Sequence, residues 1–165
     1  MDPLPATAAT AKLPAAPLTL EGAFILHQMF RVRWAAWRDL GSADQKHILS
    51  RATTIFAAME ANHEEPTALF SLLGNKGDLM LVHFRRSLDE LNHAELTVAG
   101  SELNGYLEPT TSYLSVIELG LYEASVKLYS ELSAKGLQPN TAEWNREVEA
   151  ELVQQREAAA PRLWP

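Results

Sequence analysis

Two histidines, His27 and His83, sit on apolar runs of strand length, and a third, His93, lies two residues from Glu95. A neutral imidazole nitrogen can ligate haem iron or a divalent metal, so His27 and His83 are the first candidates for such a role. The commoner use of a histidine on a strand is an internal hydrogen bond, and that reading is favoured for both. Arg85 stands two residues beyond His83, on the same strand face, where its charge disfavours a second cation. His93 and Glu95 share a predicted helix, but a spacing of two turns them to different faces, which argues against a metal pair. Neither a metal site nor a catalytic residue is assigned.

Tyr106, Tyr113 and Tyr122 complete the set, because a phenol can donate to a carboxylate or be oxidised to a radical by a haem-peroxide intermediate. Tyr106 and Tyr113 are expected in the core. Tyr122 falls just past a predicted strand end, where a side chain can reach a neighbouring pocket. The stretch Arg31-Val32-Arg33-Trp34-Ala35-Ala36-Trp37-Arg38 could bind nucleic acid by stacking and phosphate contacts. Its spacing fits better with Trp34 and Trp37 sharing one turn over a sheet edge while the arginines stay in water. No Gly-rich phosphate loop, His-Glu-x-x-His pair or nucleophile elbow is present.

Composition narrows the field. The 165 residues carry a net charge of -7, which repels phosphate backbones, and contain no cysteine, which excludes disulfides and thiolate chemistry. Apolar residues make up 47%, enough for a core in a chain of this length. No run approaches the roughly 18 apolar residues of a membrane span, and residues 1–18, rich in Ala, Pro and Thr, lack a signal-peptide core. The expectation is a cytoplasmic protein with a disordered tail over residues 1–18.

The elements that must position these side chains follow from periodicity. Gly22–Phe30 is apolar on both sides, as in a strand covered on both faces. Ser42 and Gln45 fit a capping box, with Ile48, Ala52, Ile55, Phe56 and Met59 following at helical spacing. Ala68–Gly74 and Asp78–Arg85 read as a hairpin about Asn75-Lys76-Gly77. Ser87 and Glu90 form a second capping box ahead of Leu88, Leu91, Ala94 and Val98. A fourth strand is placed at Ser112–Leu119, after Pro109.

The order strand, helix, strand, strand, helix, strand is the ferredoxin-like split βαβ arrangement: an α+β fold with a four-stranded antiparallel sheet and both helices on one face. Met80, Val82 and Phe84 would make the helix-free face apolar too, which calls for a partner sheet from a second domain or a second copy. A C-terminal helical extension follows, with one helix ending near Lys135-Gly136 and another starting at Asn140 and Glu143. The stripe Trp144, Val148, Leu152 is narrow and suggests a helix on a surface or reaching a neighbour. The division is a ferredoxin-like domain over 19–120, a helical insertion or linker over 121–160, and at 161–165 the start of a linker to a second half.

Leu72–Asp78, Leu88–Asn92 and Tyr106–Leu119, in that order and spacing, resemble the chlorite dismutase-like haem proteins over about a hundred residues. Ser115-Val116-Ile117-Glu118-Leu119 followed by Tyr122 is most similar to the coproheme decarboxylase branch, and Pro161-Arg162-Leu163-Trp164-Pro165 resembles the linker into that family's second half. The resemblance implies two ferredoxin-like halves closed into a dimeric α+β barrel, homopentamers, and haem, as iron coproporphyrin, carried by the second half. It implies that Tyr122 touches a porphyrin propionate. The activity it implies is peroxide-dependent oxidative decarboxylation of iron coproporphyrin to haem b. This half would be mainly structural, and inactive without a second half in cis or trans. Three alternatives stand beside it: a stand-alone dimeric barrel binding a small apolar ligand, a chlorite dismutase-type haem enzyme, and an interaction module docking through the helix of Trp144.

Overall fold

The computed structural model describes Pro14, residues 16–74 and residues 76–164. Most of the expected tail, and Asn75 of the expected hairpin turn, lie outside the described residues. The elements are β1 (Thr19–Val32), α1 (Trp34–Asp39), α2 (Ser42–Ala61), β2 (Thr67–Ser71), β3 (Leu79–Arg85), α3 (Leu88–Ala99), β4 (Leu107–Gly120), α4 (Tyr122–Ala134) and α5 (Ala142–Leu163). A 3-10 turn at Glu102–Tyr106 precedes β4. The described residues form two compact units, residues 22–117 with Trp164, and residues 118–163 with residues 16–21.

In the first unit the sheet order is β2-β3-β1-β4, the ferredoxin-like arrangement expected from the element order. β3 pairs antiparallel with both neighbours, in a register that sets Gln28 opposite Leu81 and His27 opposite Val82, with Thr67 opposite His83. Because side chains alternate across a strand, this register sorts the sheet into two faces. Phe30 and Leu81 point to the helices and form the core with Ile48, Ala52 and Val98. Ile25, His27, Met29, Ala68, Phe70, Met80, Val82 and Phe84 occupy the other face.

Local signals account for much of this. The hairpin β2–β3 closes with Leu72 N–H on the Asp78 carbonyl at 2.8 Å, and Gly74 takes a positive φ of 68° that glycine adopts freely. Ser87 caps α3 as expected: its hydroxyl accepts from Glu90 N–H while the Glu90 carboxylate accepts from Ser87 N–H. The capping box expected at Ser42 is absent. Gly41 is the N-cap of α2, and Gln45 sends its side-chain amide to the Trp37 carbonyl instead of back to the helix start. β4 begins at Leu107, five residues ahead of the expected Ser112, and runs through Pro109. An edge strand tolerates proline, whose missing N–H is needed by no neighbour on the open side.

In the second unit, Leu128, Tyr129, Leu132 and Trp144 form a separate core, with Tyr129 and Trp144 stacked at 5.6 Å. Trp144 is buried and Val148 packs beside it, so the stripe expected to meet a partner is used by α4. Gly136, with φ 75°, lies just beyond the end of α4, where a helix stop was expected. Leu18, the last residue of the expected tail, is fastened here: its N–H donates to Ser125 Oγ at 2.8 Å and its carbonyl accepts from Leu121 N–H. α5 continues through Pro161 to Leu163.

Candidate functional site

His83 is fully buried on the helix-covered face. Thr67 Oγ1 lies 3.0 Å from its Nδ1, and Gln28 Oε1 lies 3.1 Å from its Nε2. Both nitrogens are therefore spent, and this imidazole cannot ligate iron. The internal hydrogen bonds expected of it are present. Burial first, and then the Arg85 charge, push its pKa down to about 4, so the ring is neutral at physiological pH.

Arg85 is itself buried. Its Nη1 donates to the carbonyls of Glu65, Pro66 and Phe84, its Nη2 donates to Thr67 Oγ1, and the Glu65 carboxylate sits 3.7 Å from Nε. Gln28 closes the cluster by donating from Nε2 to Glu95. That contact turns Glu95 toward the sheet, whereas His93 borders a groove of about 400 Å³ between α2 and α3, so the two are separated as their spacing requires. Arg85 was legible from its spacing on the strand of His83, whereas the Gln28 and Thr67 contributions were not, because they converge from two other strands.

His27 differs. It lies on the helix-free face, half-buried, stacked on Tyr113 with ring centroids 4.1 Å apart and 15° between planes. Its Nδ1 is shut in without a hydrogen-bond partner. Tyr113, expected in the core, is about half exposed. The reason is that no helix covers this face and β4 is an edge strand. Tyr106 does join the core margin, and Trp37 meets it edge to face at 5.4 Å. Trp37 packs against the core while Trp34 is about half exposed, and Arg31 pairs with Glu108 at 3.5 Å.

Tyr122 opens α4 and is exposed, its ring folded back over Gly120. A Cβ at Gly120 would come within 2.6 Å of that ring, so the glycine is what permits the pose. The backbone of Gly120 borders a concavity of about 280 Å³ that Gln155, Ala158 and Arg162 also line. Sequence reasoning passed over Arg162 because residues 161–165 read as a linker and not as the end of α5. Glu118 lines the concavity as well, so one guanidinium and one carboxylate share it. Among the described residues no cluster of three metal-ligating side chains occurs. The concavity has no histidine in its lining and does not fit a porphyrin iron.

The fold and these side chains define a ferredoxin-like α+β domain with one sheet face free of helices, beside a helical unit with its own core. The family model for chlorite dismutase matches residues 45–160, and the chain belongs to that family. A protein of Halobacterium salinarum named as haem-binding is 40% identical over 112 residues, covering 66% of this chain and 23% of the relative. A second, from Natronomonas pharaonis, is 37% identical over 109 residues, covering 64% of this chain and 18% of the relative. The solved haem-binding protein from Thermus thermophilus superposes with a TM-score of 0.60 at 26% identity, over 67% of this chain and 46% of that one. A mutant chlorite dismutase from Candidatus Nitrospira defluvii gives a TM-score of 0.56 at 17% identity, over 69% and 48%. The chain thus spans less than a quarter of these curated relatives and just under half of these solved chains. No helix among the described residues is long and apolar enough to cross a membrane.

Proposed function

We propose that this chain is the N-terminal half of a haem-dependent coproheme decarboxylase, which converts two propionates of iron coproporphyrin to vinyl groups with peroxide as oxidant. The half is mainly structural and works in the cytoplasm, within a homo-oligomer. Its uncovered sheet face is closed by a second ferredoxin-like half, in cis or in trans, that carries the iron. Tyr122 carries the reading: it sits, exposed, at the end of the strand that resembles the decarboxylase branch, its ring over Gly120, a residue that lines the same concavity as Arg162. Its phenol donates to a propionate oxygen, and the Arg162 guanidinium neutralises the carboxylate charge.

The test is turnover by protein expressed from the whole reading frame, given iron coproporphyrin and peroxide, with haem b followed by chromatography and mass. Formation of haem b, slowed at least about tenfold in Tyr122→Phe by loss of one charge-assisted hydrogen bond, supports the proposal. Oxygen release from chlorite without decarboxylation would replace it with the chlorite dismutase reading. Absence of porphyrin uptake, with a symmetric dimer in solution, would replace it with the stand-alone barrel.

A further inference from the structure

His27 sits mid-strand on β1, an inner strand, with apolar neighbours Val82, Ile25 and Met29 on the same uncovered face. Between Ile25 and Met29 on β1, and along β2 and β3, the residues of this face include no Asp, Glu, Lys or Arg; the first charge beyond Met29 is Arg31, which pairs with Glu108. One of its ring nitrogens, Nδ1, is closed off inside the chain and unpaired, and Tyr113 clamps the ring from one side. An orphaned buried N–H is rarer and costlier than an orphaned lone pair. The proton of the neutral ring therefore belongs on Nε2. That nitrogen also has no partner among the described residues and, unlike Nδ1, is not sealed off, so it presents an N–H donor on the open side.

A lone donor on an apolar face is tolerable in water and costly once water is expelled, unless an acceptor meets it. We propose that His27 is the polar key of this face: its Nε2–H donates to a side-chain oxygen on the sheet of a second ferredoxin-like half that covers it. The proposal rests on the reading above, in which such a half exists. One observation chooses that occupant. The solved chains that share this fold extend well beyond the shared part, the overlap being 46% and 48% of their length. The covering half must carry an oxygen opposite β1, and that match fixes the register of two otherwise featureless apolar sheets.

Protein labelled with ¹⁵N-histidine, expressed from the whole reading frame and as residues 1–165, reports both tautomer and exposure. The Nε2–H tautomer is expected in each. Exchange of that proton with water is expected to slow by at least about tenfold in the longer protein, as for a hydrogen bond that must open first. In the longer protein His27→Gln, which keeps a donor near the Nε2 position, holds the unfolding equilibrium within about threefold of the parent, while His27→Phe shifts it by about tenfold or more. An Nδ1–H tautomer, unchanged exchange, or equal effects of Gln and Phe would overturn the proposal. So would a reading frame without a second half whose product pairs with itself through this face. Protection of His27 without decarboxylase turnover would remove the enzymatic reading and leave this one standing, and turnover with an unprotected His27 would do the reverse.

Discussion

The two faces of the sheet each carry a histidine, and they treat it in opposite ways. On the covered face His83 is held at both nitrogens, and Arg85 beside it spends its donors on three carbonyls and Thr67. On the uncovered face His27 has one nitrogen orphaned and the other open, with only the Tyr113 ring for company. Helices α2 and α3 seal one face, so every polar group beneath them must be satisfied from within. On the other face the one polar group is left incomplete. Polar satisfaction thus distinguishes the helix-covered face from the uncovered one.

The largest effect should come from breaking the sealed network. Arg85→Met removes a buried cation that ties β3 to Glu65, Pro66 and Thr67, and takes the charged donor from the Glu65, Pro66 and Phe84 carbonyls and from Thr67 Oγ1. A loss of about 3 kcal/mol or more is expected in urea unfolding, since a single hydrogen bond to a charged group contributes about 1.5–3 kcal/mol. A loss below about 1 kcal/mol would show that the network is decoration and that the contrast between faces has no energetic content.

Acid probes the same face next. His83 is neutral when folded, with a pKa of about 4 against 6.5 when unfolded, so the unfolded chain binds the extra proton between those values. Stability from this group is complete above pH 6.5 and drains away as pH falls toward 4. The shift corresponds to about 3 kcal/mol as an upper figure. His83→Gln should flatten the stability profile between pH 6.5 and 4, measured by urea midpoints at each pH. An unchanged slope would assign acid sensitivity elsewhere.

Much of the fold was legible because its signals are local. The hairpin pairing of β2 with β3, the Ser87 and Glu90 box and the alternation of β3 each act within a few residues, and together they specified the ferredoxin-like order. The site was less legible. His27 and His83 look alike in sequence, on apolar runs of similar length, and only the register of β1, β2 and β3 shows that one meets Thr67 and Gln28 while the other has no hydrogen-bond partner. Tyr113 was misplaced for the same reason: an aromatic on a strand reads as core until the sheet order makes that strand an edge. Arg162 was hidden by Pro161, which reads as a helix breaker yet sits within the last turns of α5.

A substitution on the uncovered face sharpens the contrast by depending on context. Phe70→Ser removes an aromatic side chain already about half exposed, so residues 1–165 alone should lose no more than about 0.5 kcal/mol. Once a second half covers that face, the same change should cost about 2 kcal/mol in assembly or unfolding, the burial worth of the ring. Equal costs in the two settings would mean that the face is never covered.

The smallest effect concerns the helices that create the asymmetry. Both α2 and α3 begin at a serine followed three residues later by a Gln or Glu, yet only Ser87 makes the reciprocal pair of bonds. Ser87→Ala should cost about 1 kcal/mol, because it strands the Glu90 N–H at a helix start. It also loosens Glu90, whose carboxylate accepts from Arg86 N–H and Ser87 N–H and whose charge acts on Arg85. Ser42→Ala should be neutral within about 0.3 kcal/mol, since Ser42 is the first helical residue and Gly41 holds the cap position. Paired thermal melts of the two variants separate a motif present in sequence from one realised in structure. Equal destabilisation would place a working cap at Ser42, and would make the seal over the covered face depend on both helix starts instead of on α3 alone.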